Sequence, residues 1–338
     1  MQREAVLTKD LVDGSLYIYA PSKVAPIIFT AAFALTGGIH LWQCSHYKSF
    51  KLMGLHLLSC LMLTTGFALR EYGAFEYLYT KKNLDLYIAS TSMIYMAPPI
   101  LELANYHVLG RILYYVPYCS PLHPGRVLTT FGALSAVVEV LNAIGVAYIA
   151  NKSLPENLRE LGEALIKASL ITQIVVISLF YFLAGIFHQR TAKAKVNVRS
   201  VMAPLRTMYI STFLILVRCI YRTVEQFDIS DTEINSEADL STLSPAVRYE
   251  WYFYVFEASL LLLNSFLWNW RHPRRFLPQS SKVYLAQNGS TEIEGPGWND
   301  NRSLLITLLD PFGFFGPRKE REKPFWETNG HVGTDSNV

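Results

Sequence analysis

The sequence predicts an all-α membrane protein: a bundle of seven transmembrane helices, with the N-terminus outside and the C-terminus cytosolic. Three observations carry that expectation. Charged residues make up only 17% of the 338 and hydrophobic ones 51%, whereas ordinary soluble chains average about 25% charged. Seven apolar stretches approach or exceed the ~20 residues with which a helix crosses a bilayer. Lys and Arg gather in alternate connections, the bias that sets orientation.

Residues 1–23 carry both signs of charge and precede a long apolar run with no small-residue cleavage site. They read as an extracellular N-terminal segment, not a signal peptide. The membrane domain follows over 24–270, with helices expected at Val24–Trp42, Leu52–Leu69, Leu86–Val108, Val127–Ala150, Glu163–Phe187, Ala203–Arg222 and Val247–Trp270. The third contains Pro98-Pro99 and reads as kinked, since proline removes a backbone donor. Lys48, Lys51, Arg111, Arg126, Arg190, Lys193, Lys195 and Arg199 mark cytosolic loops. The connection between the last two helices is acidic, with Asp228, Asp231, Glu233, Glu237 and Asp239, and reads as outer. The sequon Asn151-Lys152-Ser153 then falls in an outer loop, which makes Asn151 a glycosylation candidate. Asn288-Gly289-Ser290 and Asn301-Arg302-Ser303 would face the cytosol and stay unmodified. Composition makes the tail, 271–338, cytosolic and largely disordered. Its apolar stretch Leu304–Phe315 reads as a membrane-surface segment or a local cluster.

The net charge of +3 and the absence of basic runs interleaved with aromatics give no reason to expect a nucleic-acid partner. The four cysteines form no CxxC pair and the eight histidines no HxxxH or HExxH, so neither metal nor cofactor is expected. His56, inside the second apolar run, is the hardest to assign to scaffolding. There is no GxxxxGK[ST] loop for ATP. An intramembrane hydrolase would need a clustered nucleophile and base, which the spacing does not supply, so no enzyme is expected. A seven-helix lipid sensor or receptor-like signalling protein stays open as an alternative.

The chemistry-bearing residues are the polar ones inside the spans. On a helical repeat Arg218, Arg222 and Glu225 share one face of the sixth helix, and Glu250, Tyr254 and Glu257 one face of the seventh. A charge at mid-membrane costs roughly 2.5–3.5 kcal/mol on insertion scales, so such groups pair or face a cavity. Arg218 and Arg222 are expected to hold Glu250 and Glu257. Glu139 and Asn142 share a face of the fourth helix, and Pro98, Glu102 and Asn105 a stripe on the third. Both fit either an interhelical hydrogen-bond network or a polar-lined pocket for an amphiphile.

Arg218-Cys219-Ile220-Tyr221-Arg222-Thr223-Val224-Glu225 resembles the RxxYRxxE signature of the fungal RTA-like family, the lipid-translocating exporters. Ala97-Pro98, Ala104-Asn105-Tyr106 and Leu109-Gly110-Arg111 are similar to the family's AP…A.Y..LGR segment. Gly162 and Gln173 bracket the fifth helix in the family's manner. Glu250, Tyr254 and His272-Pro273 look like its last helix and exit. The likeness covers about 15–277. Ser135 and Asn142 stand where family members tend to carry an acid and a glutamine, and Glu257 where aspartate is usual. The resemblance implies a multi-pass protein of the plasma membrane whose partners are membrane lipids or other amphiphiles. It implies movement of lipids, sphingoid long-chain bases above all, and resistance to toxic amphiphiles. Glu139, Glu250 or Glu257 would then take the amine and Tyr254 the hydroxyls.

Overall fold

The computed structural model describes residues 21–75, 78, 80–150, 154–196, 198–231, 244–280, 282–295 and 306–307. The sequon at Asn151, the acidic stretch through Glu233, Glu237 and Asp239, the sequon at Asn301 and most of Leu304–Phe315 lie outside the described residues. So do residues 1–20 and the rest of the tail.

The helices are α1 (Ala25–His46), α2 (Phe50–Phe75), α3 (Lys81–Tyr115), α4 (Pro124–Ala150), α5 (Glu156–Lys193) and α6 (Arg199–Asp231). Short α7 (Pro245–Arg248) and α8 (Glu250–Phe253), a π-helical turn (Tyr254–Ser259) and α9 (Leu260–Trp270) follow. Among the described residues, five helices are long and apolar enough to cross a membrane: α1, α2, α4, α5 and α6. Most run past their apolar stretch. α5, for example, adds a charged first turn at Glu156 and a basic last turn at Arg190 and Lys193, as the helix dipole favours.

The seventh expected helix is where the sequence reading needs correction. Tyr249 is extended (φ −110°, ψ 119°) and separates α7 from α8. The π turn then widens the coil by one residue, which amounts to about 100° of helix rotation. Residues 250 and 257, on one face at α-helical spacing, therefore do not follow one regular helix: 250 precedes the turn and 257 lies within it.

The described residues fall into two compact units, with boundaries inside α3, α4, α5, α6 and α9. The first comprises Met1–Glu102, Val138–Ile174 and Phe213–Asn269. Its helices approach closely at glycines. A Cβ on Gly145 would stand 2.7 Å from the carbonyl oxygen of Gly162, and one on Gly66 2.7 Å from Ile94. Small residues are what let membrane helices pack backbone to backbone. α9 is fastened to α1 by polar bonds: Gln43 donates to the carbonyl of Asn269 (2.8 Å) and Asn269 to that of Thr36 (3.1 Å). Ser265 lies 3.3 Å from His40 and 3.1 Å from Cys60. His56 is buried between His40 and Trp268, with ring centroids 5.7 and 5.3 Å away.

The second unit comprises Leu103–Val137, Val175–Thr212 and Trp270–Val338. Tyr106, Phe131 and Phe180 form its aromatic core, with centroids 4.8–5.5 Å apart. Asn105 donates to Ser211 (2.9 Å) and Thr212 (3.2 Å). Part of the tail folds here. Strands β1 (Val283–Leu285) and β2 (Glu292–Glu294) pair antiparallel, Tyr284 opposite Ile293, around a turn where Gly289 has φ +73°. The Arg111 guanidinium donates to the carbonyls of Pro278 (2.8 Å) and Ser280. Tyr118 donates to the Ala286 carbonyl (3.0 Å) and Tyr115 to Glu292 (2.8 Å).

Candidate functional site

Every predicted site residue among the described residues lies in the first unit; Asn151 is not described. Arg218 and Glu257 meet in a bidentate pair: Nε stands 2.9 and 2.8 Å from the two carboxylate oxygens, and Nη2 2.8 Å from one of them. Both are buried, Glu257 completely. Planar, two-point contact is the strong geometry for this ion pair.

Arg222 does not reach the seventh segment. It pairs with Glu225, three residues on, donates to the Tyr95 hydroxyl (3.0 Å) and lies 4.0 Å over the Tyr95 ring. Tyr221 adds a 3.2 Å bond to Glu225.

Glu250 also has a partner other than the expected one. Arg70, on α2, donates to it at 3.2 Å and to the Tyr254 hydroxyl at 3.4 Å. Tyr254 itself donates to Glu250 (3.1 Å), as does the backbone N–H of Ser22 (2.8 Å). Arg70 also lies 4.5 Å over the Phe253 ring. The change of partner coincides with the π turn, which begins between the two acids and contains Glu257. Glu250 meets α2 and Glu257 meets α6. Arg70 escaped the sequence reading because it ends an apolar run beside Glu71 and looks interfacial. Tyr95 offered no charge to notice.

Glu102 is buried and accepts a 2.7 Å bond from Gln173, whose amide oxygen takes a 3.5 Å contact from the Cys219 thiol. Gln173 is therefore a bridge between α3 and α6.

These groups surround a cavity of about 550 Å³ between α3, α4, α5 and α6. Its polar lining includes Tyr95, Glu139, Asn142, Gln173, Arg218 and Arg222, and its apolar lining includes Met96, Val138, Ile166 and Leu170. Met96 and Val146 line it and are also 55% and 51% exposed. The cavity thus reaches the outer surface, where Val137 and Val140 of α4 are also exposed. Its size falls within the ~300–1,000 Å³ usual for small-molecule sites. Arg218 and Arg222 come to the wall already neutralised by Glu257 and Glu225. Glu139 is half-buried and, among the described residues, makes no hydrogen bond or ion pair, though it lies in the field of Arg218. Among the described residues no cluster of three or more His, Cys, Asp or Glu is placed to hold a metal.

Spanning helices with large apolar side chains exposed along them, such as Phe182 at 69% and Phe213 at 56%, define the class. This is an integral, multi-pass helical membrane protein, with a charged cavity inside the first unit. The chain belongs to the RTA1-like family, whose profile, described as "RTA1 like protein", matches residues 56–280. "Lipid-translocating exporter-like protein RTA1" of Leptosphaeria maculans is 47% identical over 93% of this chain and 62% of its own length. A protein of the same description from Ajellomyces capsulatus is 30% identical over 70% of this chain and 75% of its own. "Probable lipid transporter atnI" of Emericella nidulans is 25% identical over 78% of this chain and 69% of its own. The chain spans less than two thirds of the Leptosphaeria protein. No solved structure matches the chain.

Proposed function

We propose that this protein moves lipids or lipid-like amphiphiles across a membrane, with a preference for a cationic amine head group, as in sphingoid long-chain bases. Resistance to toxic amphiphiles follows from removing them. The observation that carries this reading is Glu139: the one carboxylate lining the cavity, with no hydrogen bond or ion pair among the described residues. An ammonium group would meet an uncompensated negative charge there. The tail of the amphiphile would lie along Met96, Val146 and the lipid. The relatives' descriptions as lipid-translocating exporter-like and as a lipid transporter support movement rather than catalysis.

Seven spans, N-terminus outside, complete the reading. α3, with 35 residues, is about 52 Å long, and the 21 residues of 250–270 cover about 31 Å, enough for a ~30 Å hydrocarbon core. The described residues of the second unit hold eleven Lys and Arg and only Glu292 and Glu294 as acids, which supports a cytosolic position for them. Asn151 then faces outward at the plasma membrane, and 271–338 form the cytosolic tail.

The test is transbilayer movement in liposomes holding the purified full chain. A labelled long-chain base should cross faster than a labelled phosphatidylcholine, and Glu139→Gln should slow the base at least tenfold while the variant stays folded and inserted. Saturable binding without movement would replace this reading by that of a lipid sensor.

A further inference from the structure

The cavity wall carries two guanidinium groups, yet a wall lined with bare arginines would draw phosphate and carboxylate, not amines. What prevents this is the placement of their partners. Glu225 covers Arg222 from the same helix, three residues away. Arg218 pairs with none of the acids of its own helix; its partner among the described residues is Glu257, which reaches it from the π turn. Glu257 lies within that turn. Glu250 and Glu257 lie seven residues apart and would share a face in an uninterrupted α-helix. Arg70 stands on α2 and Arg218 on α6. The widened turn begins between the two acids, and each closes on its own arginine.

We propose that Glu257, presented by the π turn, is a specificity determinant: by neutralising Arg218 it leaves Glu139 as the one charged group lining the cavity that has no ion-pair partner among the described residues, so that cationic amphiphiles enter and anionic head groups are refused. This rests on the reading of the cavity as an amphiphile site and goes beyond it, because it assigns the exclusion of anionic lipid to one buried pair. With Glu257 neutral, Arg218 would stand in the cavity wall as an unpaired guanidinium, with Asn142 and Gln173 in the same lining as auxiliary hydrogen-bonding groups. That is a phosphate site. The uncompensated charge of the wall would then be one positive and one negative group, suited to a zwitterionic or anionic phospholipid head.

The test measures binding separately from movement. The purified full chain in neutral detergent micelles, at low salt, is titrated with a fluorescent C18 amine and, in parallel, with a fluorescent phosphatidylserine. Wild type should bind the amine at least tenfold more tightly. Glu257→Gln should gain at least tenfold for phosphatidylserine. Arg218→Met/Glu257→Met, which removes both charges, should restore the preference for the amine though not the full affinity. The double variant also guards against misfolding, since it leaves no unpaired buried charge. Glu257→Gln keeping the wild-type preference would overturn the proposal. So would an equal gain in single and double variants, or no saturable binding of either probe to wild type. If wild type binds the amine but moves no lipid, the transport reading fails while the binding ratios still decide this one.

Discussion

Replacing Arg70 by Met should destabilise the protein through the acid it leaves behind. Arg70 and Glu250 are almost fully enclosed, with side-chain exposures of 7% and 9%. Removing one member of a buried pair typically costs about 3–5 kcal/mol because the other charge is stranded. Two bonds to Glu250 survive, from the Ser22 N–H at 2.8 Å and the Tyr254 hydroxyl at 3.1 Å, and each keeps a donor on the carboxylate. We therefore expect a loss of about 2–4 kcal/mol, at the low end of the buried-pair range and below it. All four cysteines are free and buried, so a thiol-reactive fluorophore reports unfolding in detergent directly. At about 2–4 °C per kcal/mol the midpoint should fall by about 5–15 °C. Arg70→Met/Glu250→Gln should recover more than half of that, as the stranded charge is gone. A loss no larger than that of Arg206→Met, at an exposed site, would refute the reasoning. Additive losses in the double variant would refute it too, since they would mean that the residues do not act as a pair.

Helix packing supplies a second expectation, read with the same fluorophore. Gly145→Ala would press a methyl to 2.7 Å from a backbone oxygen of α5 that cannot move aside, and should cost about 1–3 kcal/mol as α4 and α5 separate. Gly185→Ala meets nothing within 4 Å and should instead stabilise by about 0.5–1 kcal/mol through helix propensity. The tail supplies a third: Arg111→Ala removes the donor to the carbonyls of Pro278 and Ser280, so trypsin should cut after Lys282 at least several times faster than in wild type. Unchanged cleavage would mean that Tyr115 and Tyr118 hold the hairpin without it.

The sequence announced its helices strongly, because twenty apolar residues in a row have few other uses, but their ends were less legible. α3 and α5 run on into charged turns where hydropathy stops reporting. The break in the seventh segment was invisible for a different reason. Buried Phe253, Tyr254, Glu257, Ala258 and Leu261 keep the three-and-four spacing of an ordinary helix, so no gap marks the π turn. Only the different partners on α2 and α6 accompany it, and partners are a tertiary fact. The Arg218–Glu257 pair was foreseen from charge alone; Arg70 as the partner of Glu250 was not. The hairpin had a local signal, Asn288-Gly289 between the apolar-centred triplets Val283–Leu285 and Glu292–Glu294. A reading by composition passed over it.

Two positions one turn apart on the fourth helix have different surroundings. The sequence has Ser135, and Glu139 one turn further along. Ser135 sits 3.2 Å from the Tyr106 hydroxyl, a contact of the second unit. Glu139 lines the cavity of the first. Four residues of helix are about 6 Å of rise, comparable to the reach of a lipid head group. An acid at 135 would be tied to a tyrosine, whereas the acid at 139 has no such tie among the described residues. Glu139 is thus a differently placed charge from an acid at 135, and under the proposed reading, with Glu257 held on Arg218, it would give the cavity its sign.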